Sequence, residues 1–151
     1  MKIQEKFTIQ APLEKVWAFV RNPETAAPCV PGCESVETLS PTSYRTIVGV
    51  ALGPIKARFN AIVTITEETP PTRLVCETKG EEGSKASMVT ATTEIAFAAK
   101  DDNATEITCT SEASIVGRLG KFGLGIMKKR ASQLANEFAA SVQQRMAEVD
   151  A

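Results

Sequence analysis

Apolar and polar residues alternate over residues 3–9, with Ile3, Glu5, Phe7 and Ile9 on one side and Gln4, Lys6 and Thr8 on the other. A period of two predicts a first β-strand there. The period then changes. Leu13, Val16, Trp17 and Val20 recur at i, i+3, i+4 and i+7, and Pro12 sits where a first helical turn tolerates proline. Residues 12–21 therefore read as a short amphipathic helix, stopped by Asn22-Pro23. Residues 23–33 hold three prolines and a glycine among small apolar residues, a composition that suits one more helical turn and then a tight Pro31-Gly32 turn.

Strand patterns dominate from there, at 33–39, 43–51, 55–67, 73–80, 85–99 and 104–116. Their separators are Ser40-Pro41, Gly53-Pro54, Thr69-Pro70-Pro71, Glu81-Glu82-Gly83 and Asp101-Asp102-Asn103. Each break is hairpin-sized, which makes an antiparallel meander the economical topology. In the clearest run, Ala57, Phe59, Ala61, Val63 and Ile65 oppose Lys56, Arg58, Asn60, Ile62 and Thr64. One face must be packed and the other wet. The cover comes from the last 30 residues, where Met127, Ala131, Leu134, Phe138, Val142 and Val149 hold one helical stripe and Lys128, Lys129, Glu137, Gln144 and Glu148 lie mostly off it. The order predicts an α+β helix-grip fold over residues 1–151 as a single domain. A seven-stranded curved antiparallel sheet wraps a long C-terminal helix, a short helix follows strand one, and an apolar cavity lies between sheet and helix.

At 151 residues such a chain buries roughly two-thirds of its unfolded surface, so one core needs no staples. With 17 Lys+Arg against 18 Asp+Glu there is no global field to draw in nucleic acid. Histidine is absent, which removes the commonest general base and metal ligand. Four scattered cysteines and an N-terminus without a signal-like apolar run point to a cytoplasmic protein with reduced thiols. No stretch approaches the roughly 20 apolar residues of a membrane span, so membrane contact, at the inner face, is expected to be peripheral.

Two segments carry a resemblance: Cys29-Val30-Pro31-Gly32-Cys33-Glu34-Ser35-Val36 and Gly53-Pro54-Ile55-Lys56-Ala57-Arg58-Phe59. With the glycine-punctuated start of the last helix, they resemble the carbon monoxide dehydrogenase G-subunit family of the START-like (SRPBCC) superfamily over nearly the whole chain. The resemblance implies an accessory role beside molybdenum-containing dehydrogenases: helping them mature, docking them at the membrane, or passing electrons to the quinone pool. It supplies no catalytic residues and no covalently bound cofactor. A lipophilic ligand such as a quinone, a molybdenum hydroxylase complex and the membrane surface are the partners it implies. Some relatives continue past the helix into a membrane-reaching tail, whereas this sequence stops at Ala151, so tail anchoring is not expected.

The Cys29-x-x-x-Cys33 pair has three readings: a metal half-site, a redox switch, or two small residues bracketing a turn. Without histidine or a second ligand pair, the last is favoured and no metal is expected. Glu5, Glu34 and the single phenol, Tyr44, are not paired by spacing, and Lys56 and Arg58 share a strand face that is either anion-binding or simply solvated.

Gly117 to Gly125 holds four glycines, and on an ideal helix Leu119, Phe122 and Ile126 project about a third of a turn off the stripe that begins at Met127. Either the glycines re-phase the helix or they form a loose gate. The cavity wall is expected from Trp17, Phe59, Val63 and Met88 on the sheet side, and from Leu119, Phe122, Ile126, Met127, Leu134 and Phe138 on the helix. Pro31, Gly32, Cys33, Gly120 and Gly123 should frame its mouth. Arg118, Lys121, Lys128 and Lys129 would share one side of a continuous helix, suited to anionic lipid or an acidic partner, or else an ordinary solvated face. The function expected is a non-catalytic carrier of a lipophilic ligand. A docking or maturation subunit and a cyclase- or hydrolase-type enzyme of the same superfamily are the alternatives.

Overall fold

The computed structural model describes residues 2–52, 54–83, 86–117 and 124–149. Strand β1 (Lys2–Ile9) leads into α1 (Leu13–Arg21), a short α2 (Pro23–Ala26) and a 3-10 turn at Ala27–Cys29. Strands β2 (Cys33–Ser40), β3 (Ser43–Leu52), β4 (Ile55–Thr69), β5 (Arg73–Glu82), β6 (Ser87–Asp101) and β7 (Ala104–Gly117) follow, and α3 (Leu124–Val149) ends the chain. Helix α1 starts where Pro12 is still extended, since proline removes a donor that the first turn leaves unpaired anyway. The Asn22 side chain then caps α2, accepting from the Glu24 backbone N–H at 3.0 Å.

All seven strands form one antiparallel sheet in the order β1-β7-β6-β5-β4-β3-β2. The expected meander holds from β2 to β7, and β1 adds onto β7, so the chain's first strand lies beside its last. Register shifts between Cys33 and Ser35, Thr38 and Ser40, Ile65 and Glu67, and Ala99 and Asp101 break the ladders. Such bulges bend a strand and increase its twist, as a sheet must bend to hold a helix.

On the concave face α3 lies against β1, with Ser132 Oγ donating to Glu5 at 3.3 Å and Gln143 Oε1 accepting from the Gln10 backbone at 2.7 Å. The larger core cluster joins Ile9, Val16, Val20, Leu74, Phe97 and Ile107 to Val142 and Met146 of α3. Edge-on aromatic pairs tie it together, Trp17 on Phe97 at 5.2 Å and Phe7 on Phe138 at 6.2 Å between ring centroids. A second cluster, Ala57, Phe59 and Met127 with Val50, Val89 and Ile115 around them, holds the start of α3 at the other end of the sheet. The helical stripe therefore runs Met127, Phe138, Val142 as expected. Met146 continues it, and the Val149 side chain lies outside the described residues.

The glycine-rich segment needs correction at its first residue. Gly117 is the last residue of β7, not a helical glycine. Its φ is +96°, and a β-carbon there would collide with the Ala86 carbonyl and lie 2.7 Å from Ser87 Cα. Close packing in the β6–β7 ladder explains that glycine. Residues 118–123, with the expected gate, lie outside the described residues.

Candidate ligand-binding cavity

Beneath α1 and α2, the concave face of β3–β6 lines a half-open cavity of about 300 Å³. Strand parity builds its floor. Tyr44, Thr46 and Val48 face inward from β3, Ala61, Val63 and Ile65 from β4, Leu74, Cys76 and Thr78 from β5, and Ile95 from β6. Val20, Pro23, Ala26, Ala27 and Val30 roof it, and Phe138 closes the α3 side. Ala26, Ala27 and Ala61 leave room where larger side chains would fill the space. Arg21 sits at the rim and is already engaged, its Nε 2.9 Å from Glu68 and its Nη2 3.0 Å from the Pro41 carbonyl oxygen.

The polar lining is sparse. Thr46 Oγ1 donates to the Ser35 carbonyl at 2.9 Å and lies 3.4 Å from Cys33 Sγ. Burial, with smaller contributions from Cys76 and Cys33, pushes the Tyr44 phenol up to about 12, and burial likewise pushes the Cys76 thiol up to about 11. The Cys109 thiol on β7 is raised to about 11, also chiefly by burial, and that of Cys29 is raised too. At neutral pH the lining thus carries neutral hydroxyls and one neutral thiol, that of Cys76, weak nucleophiles that suit holding an apolar guest better than attacking it. Among the described residues there is no group of three or more Cys, Asp or Glu side chains placed to hold a metal ion.

These shifts carry a prediction. The folded chain holds the Tyr44, Cys76 and Cys109 protons more tightly than the unfolded chain, whose ordinary values are 10.0 for the phenol and 9.0 for a thiol. Their contribution to stability is complete below about pH 9 and is lost as pH rises toward 11 to 12. The urea midpoint should be level from neutrality to about pH 9 and fall steeply by about pH 11. A level midpoint across that range would contradict the burial of these groups.

Of the residues expected on the cavity wall, Val63 and Phe138 line it. Trp17 is spent on its contact with Phe97, Phe59 and Met127 belong to the second core cluster, and Leu134 is half-buried on α3 outside the lining. Met88 and Ile126 were misplaced by expectation. Met88 is 46% exposed, because buried Ser87 and half-buried Val89 fix the inward parity of β6 and turn Met88 outward. Ile126 is 52% exposed on the first turn of α3, where Met127 takes the inward position. Leu119, Phe122, Gly120, Gly123, Arg118 and Lys121 lie outside the described residues. Lys128 and Lys129 are exposed on α3.

Pro31, Gly32 and Cys33 do not line the cavity; Val30 just before them does, and Cys33 Sγ reaches the lining residue Thr46, while the two motif segments meet in one clasp. Glu34 takes Arg58 in a bidentate pair at 2.6 and 2.8 Å, joining β2 to β4 across Gly49 of β3. The Gly32 carbonyl accepts from the Gly49 backbone at 2.8 Å, and φ at Gly32 is +82°. Sequence reasoning weighed Tyr44 only for acid–base work, and did not place Tyr44, Thr78 or Cys76 in the cavity. Their signal was the alternation of β3 and β5, once the inward face is known.

The family model for the carbon monoxide dehydrogenase G subunit (CoxG) matches residues 6–147. No curated protein matches the chain. Among solved structures, a conserved protein from Geobacillus kaustophilus superposes with a TM-score of 0.90 at 23% identity, covering 98% of this chain and 96% of that one. A START superfamily protein from Mycobacterium smegmatis gives 0.76 at 12% identity, over 98% of each chain. The Zhui aromatase/cyclase from Streptomyces sp. R1128 gives 0.69 at 13% identity, over 96% of this chain and 92% of that one. At these identities the likeness shows a START-like fold.

Proposed function

Because this chain belongs to the carbon monoxide dehydrogenase G-subunit (CoxG) family, we propose that it is a non-catalytic accessory protein. In this role it acts as one ligand-binding unit that holds a lipophilic molecule, a quinone, and carries it between the membrane and a molybdenum-containing dehydrogenase. The observation that carries this reading is the cavity of about 300 Å³ with its mostly aliphatic and aromatic walls. Ligand sites run from roughly 300 to 1,000 Å³, so this one is sized for a ring with a short substituent, while a long tail leaves by the mouth. An aromatase/cyclase shares the fold, so architecture alone does not separate carriage from chemistry. The protonated phenol of Tyr44 and thiol of Cys76 in the lining favour carriage.

Membrane contact is proposed at one end of the molecule. Met88 pairs with Val116 across β6 and β7, both are exposed, and exposed Ile126 and the Lys128-Lys129 pair begin α3 near them. Met127 belongs to the core cluster against which Val89 and Ile115 pack, and these are the chain neighbours of Met88 and Val116, so the five residues fall toward one end of the sheet. Exposed apolar side chains at the same end as a pair of lysines suit an anionic lipid surface. Among the described residues no helix is long and apolar enough to cross a membrane.

The test uses vesicles of phosphatidylglycerol and phosphatidylcholine loaded with menaquinone. After incubation and sedimentation, quinone should appear in the supernatant in proportion to added protein. The double substitution Lys128→Glu, Lys129→Glu should slow its appearance. A supernatant free of quinone at every protein concentration would sink the proposal.

A further inference from the structure

We propose that Tyr44 and Thr78 form a two-point hydroxyl cradle that selects, within this cavity, a planar ring bearing carbonyl oxygens. Register places them. Tyr44 pairs with Val63 on β4, and Val63 pairs with Thr78 on β5, so the two hydroxyl side chains flank one apolar residue in a single row across the cavity floor. Their backbones stand two strand spacings apart, roughly 10 Å, a gap that a ring lying over Val63 spans between the two side chains.

The other side-chain oxygen and nitrogen groups of the lining are occupied, and the Cys76 thiol is only a weak donor. Thr46 is bonded to the Ser35 carbonyl, and Arg21 is held by Glu68 and the Pro41 carbonyl. Among the described residues neither the Tyr44 nor the Thr78 hydroxyl has a hydrogen-bond partner. A tyrosine hydroxyl turned into an apolar enclosure ordinarily finds one. With Val63, Ile65, Leu74, Ile95 and Phe138 around them, these two hydroxyls are the groups able to orient a guest. A ring carbonyl is a pure acceptor, and a neutral phenol stays a donor to it throughout the physiological range. An acid would lose its charge solvation in this enclosure, and a plain hydrocarbon would leave both hydroxyls unsatisfied.

This inference rests on the cavity being the ligand site, and the experiment separates the two claims. Two probes share one carbon frame: dimethylnaphthoquinone, blocked at the positions a thiol would attack, and dimethylnaphthalene, which has no oxygen. Binding of each to the full chain is measured by quenching of Trp17 fluorescence or by calorimetry. Tyr44→Phe and Thr78→Val preserve shape while removing one hydroxyl each. Each should weaken the quinone by about three- to tenfold, the range of one neutral hydrogen bond, and leave the hydrocarbon unchanged. Unchanged quinone binding in both variants, or equal loss of both probes, overturns the cradle and leaves the cavity standing. Failure of the unaltered chain to bind either probe overturns the cavity reading and the cradle with it.

Discussion

Replacing Gly32 by alanine is expected to destabilise the chain by roughly 2–4 kcal/mol, the cost of a left-handed backbone plus a steric collision. At Gly32 φ is +82°, and a β-carbon would run into the Gly49 carbonyl of β3. The backbone cannot retreat without breaking the Gly49 N–H to Gly32 bond of 2.8 Å or straining the Glu34–Arg58 pair that clasps β2 to β4. For a chain of this length the loss should lower the melting temperature by roughly 5–15 °C. Gly83→Ala is the control, since nothing lies within 4 Å of where its β-carbon would stand. Equal melting temperatures for the two variants would show that the Pro-Gly-Cys-Glu turn is not the clasp described.

Filling the cavity is the second large effect. Ala61 is buried on the floor, 7% exposed, between the rows of β3 and β5. In Ala61→Phe the new ring has to point into the space a guest would use, and the existing void limits the overpacking penalty to about 2 kcal/mol. The variant should fold and keep its sheet, yet take up no quinone at concentrations that saturate the parent chain. Undiminished uptake by a folded Ala61→Phe chain would place the ligand elsewhere, on the outer face or against the basic start of α3.

Much of the fold was legible because its signals are local. The alternation from Ala57 to Ile65 set both the strand and its packed face, and the chain turns at Pro41, Pro54, Pro70-Pro71 and Asp102-Asn103 as marked, whereas β5 runs on through Glu81 and Glu82. The α3 stripe was legible for the same reason. The cavity was not. A void has no residue of its own, and large apolar side chains such as Trp17 and Phe59 mark where packing is finished rather than where space is left. The small residues at 26, 27 and 61 were the better guide. Met88 went astray because a buried serine, Ser87, carries the inward parity of β6, and hydrophobicity alone points to the wrong neighbour. Glu34 and Arg58, on two motifs read apart, became intelligible only when β3 was seen to bring them together.

The central claim is that the space under α1 and α2 holds the ligand. A crystal structure of the chain grown with a short-chain quinone tests it most directly. The account predicts a flat ring over Val63, between Tyr44 and Thr78, with its tail leaving past Val30, the exposed residue of the roof. Clear density for the quinone anywhere else on the molecule, with the cavity unfilled, would contradict it.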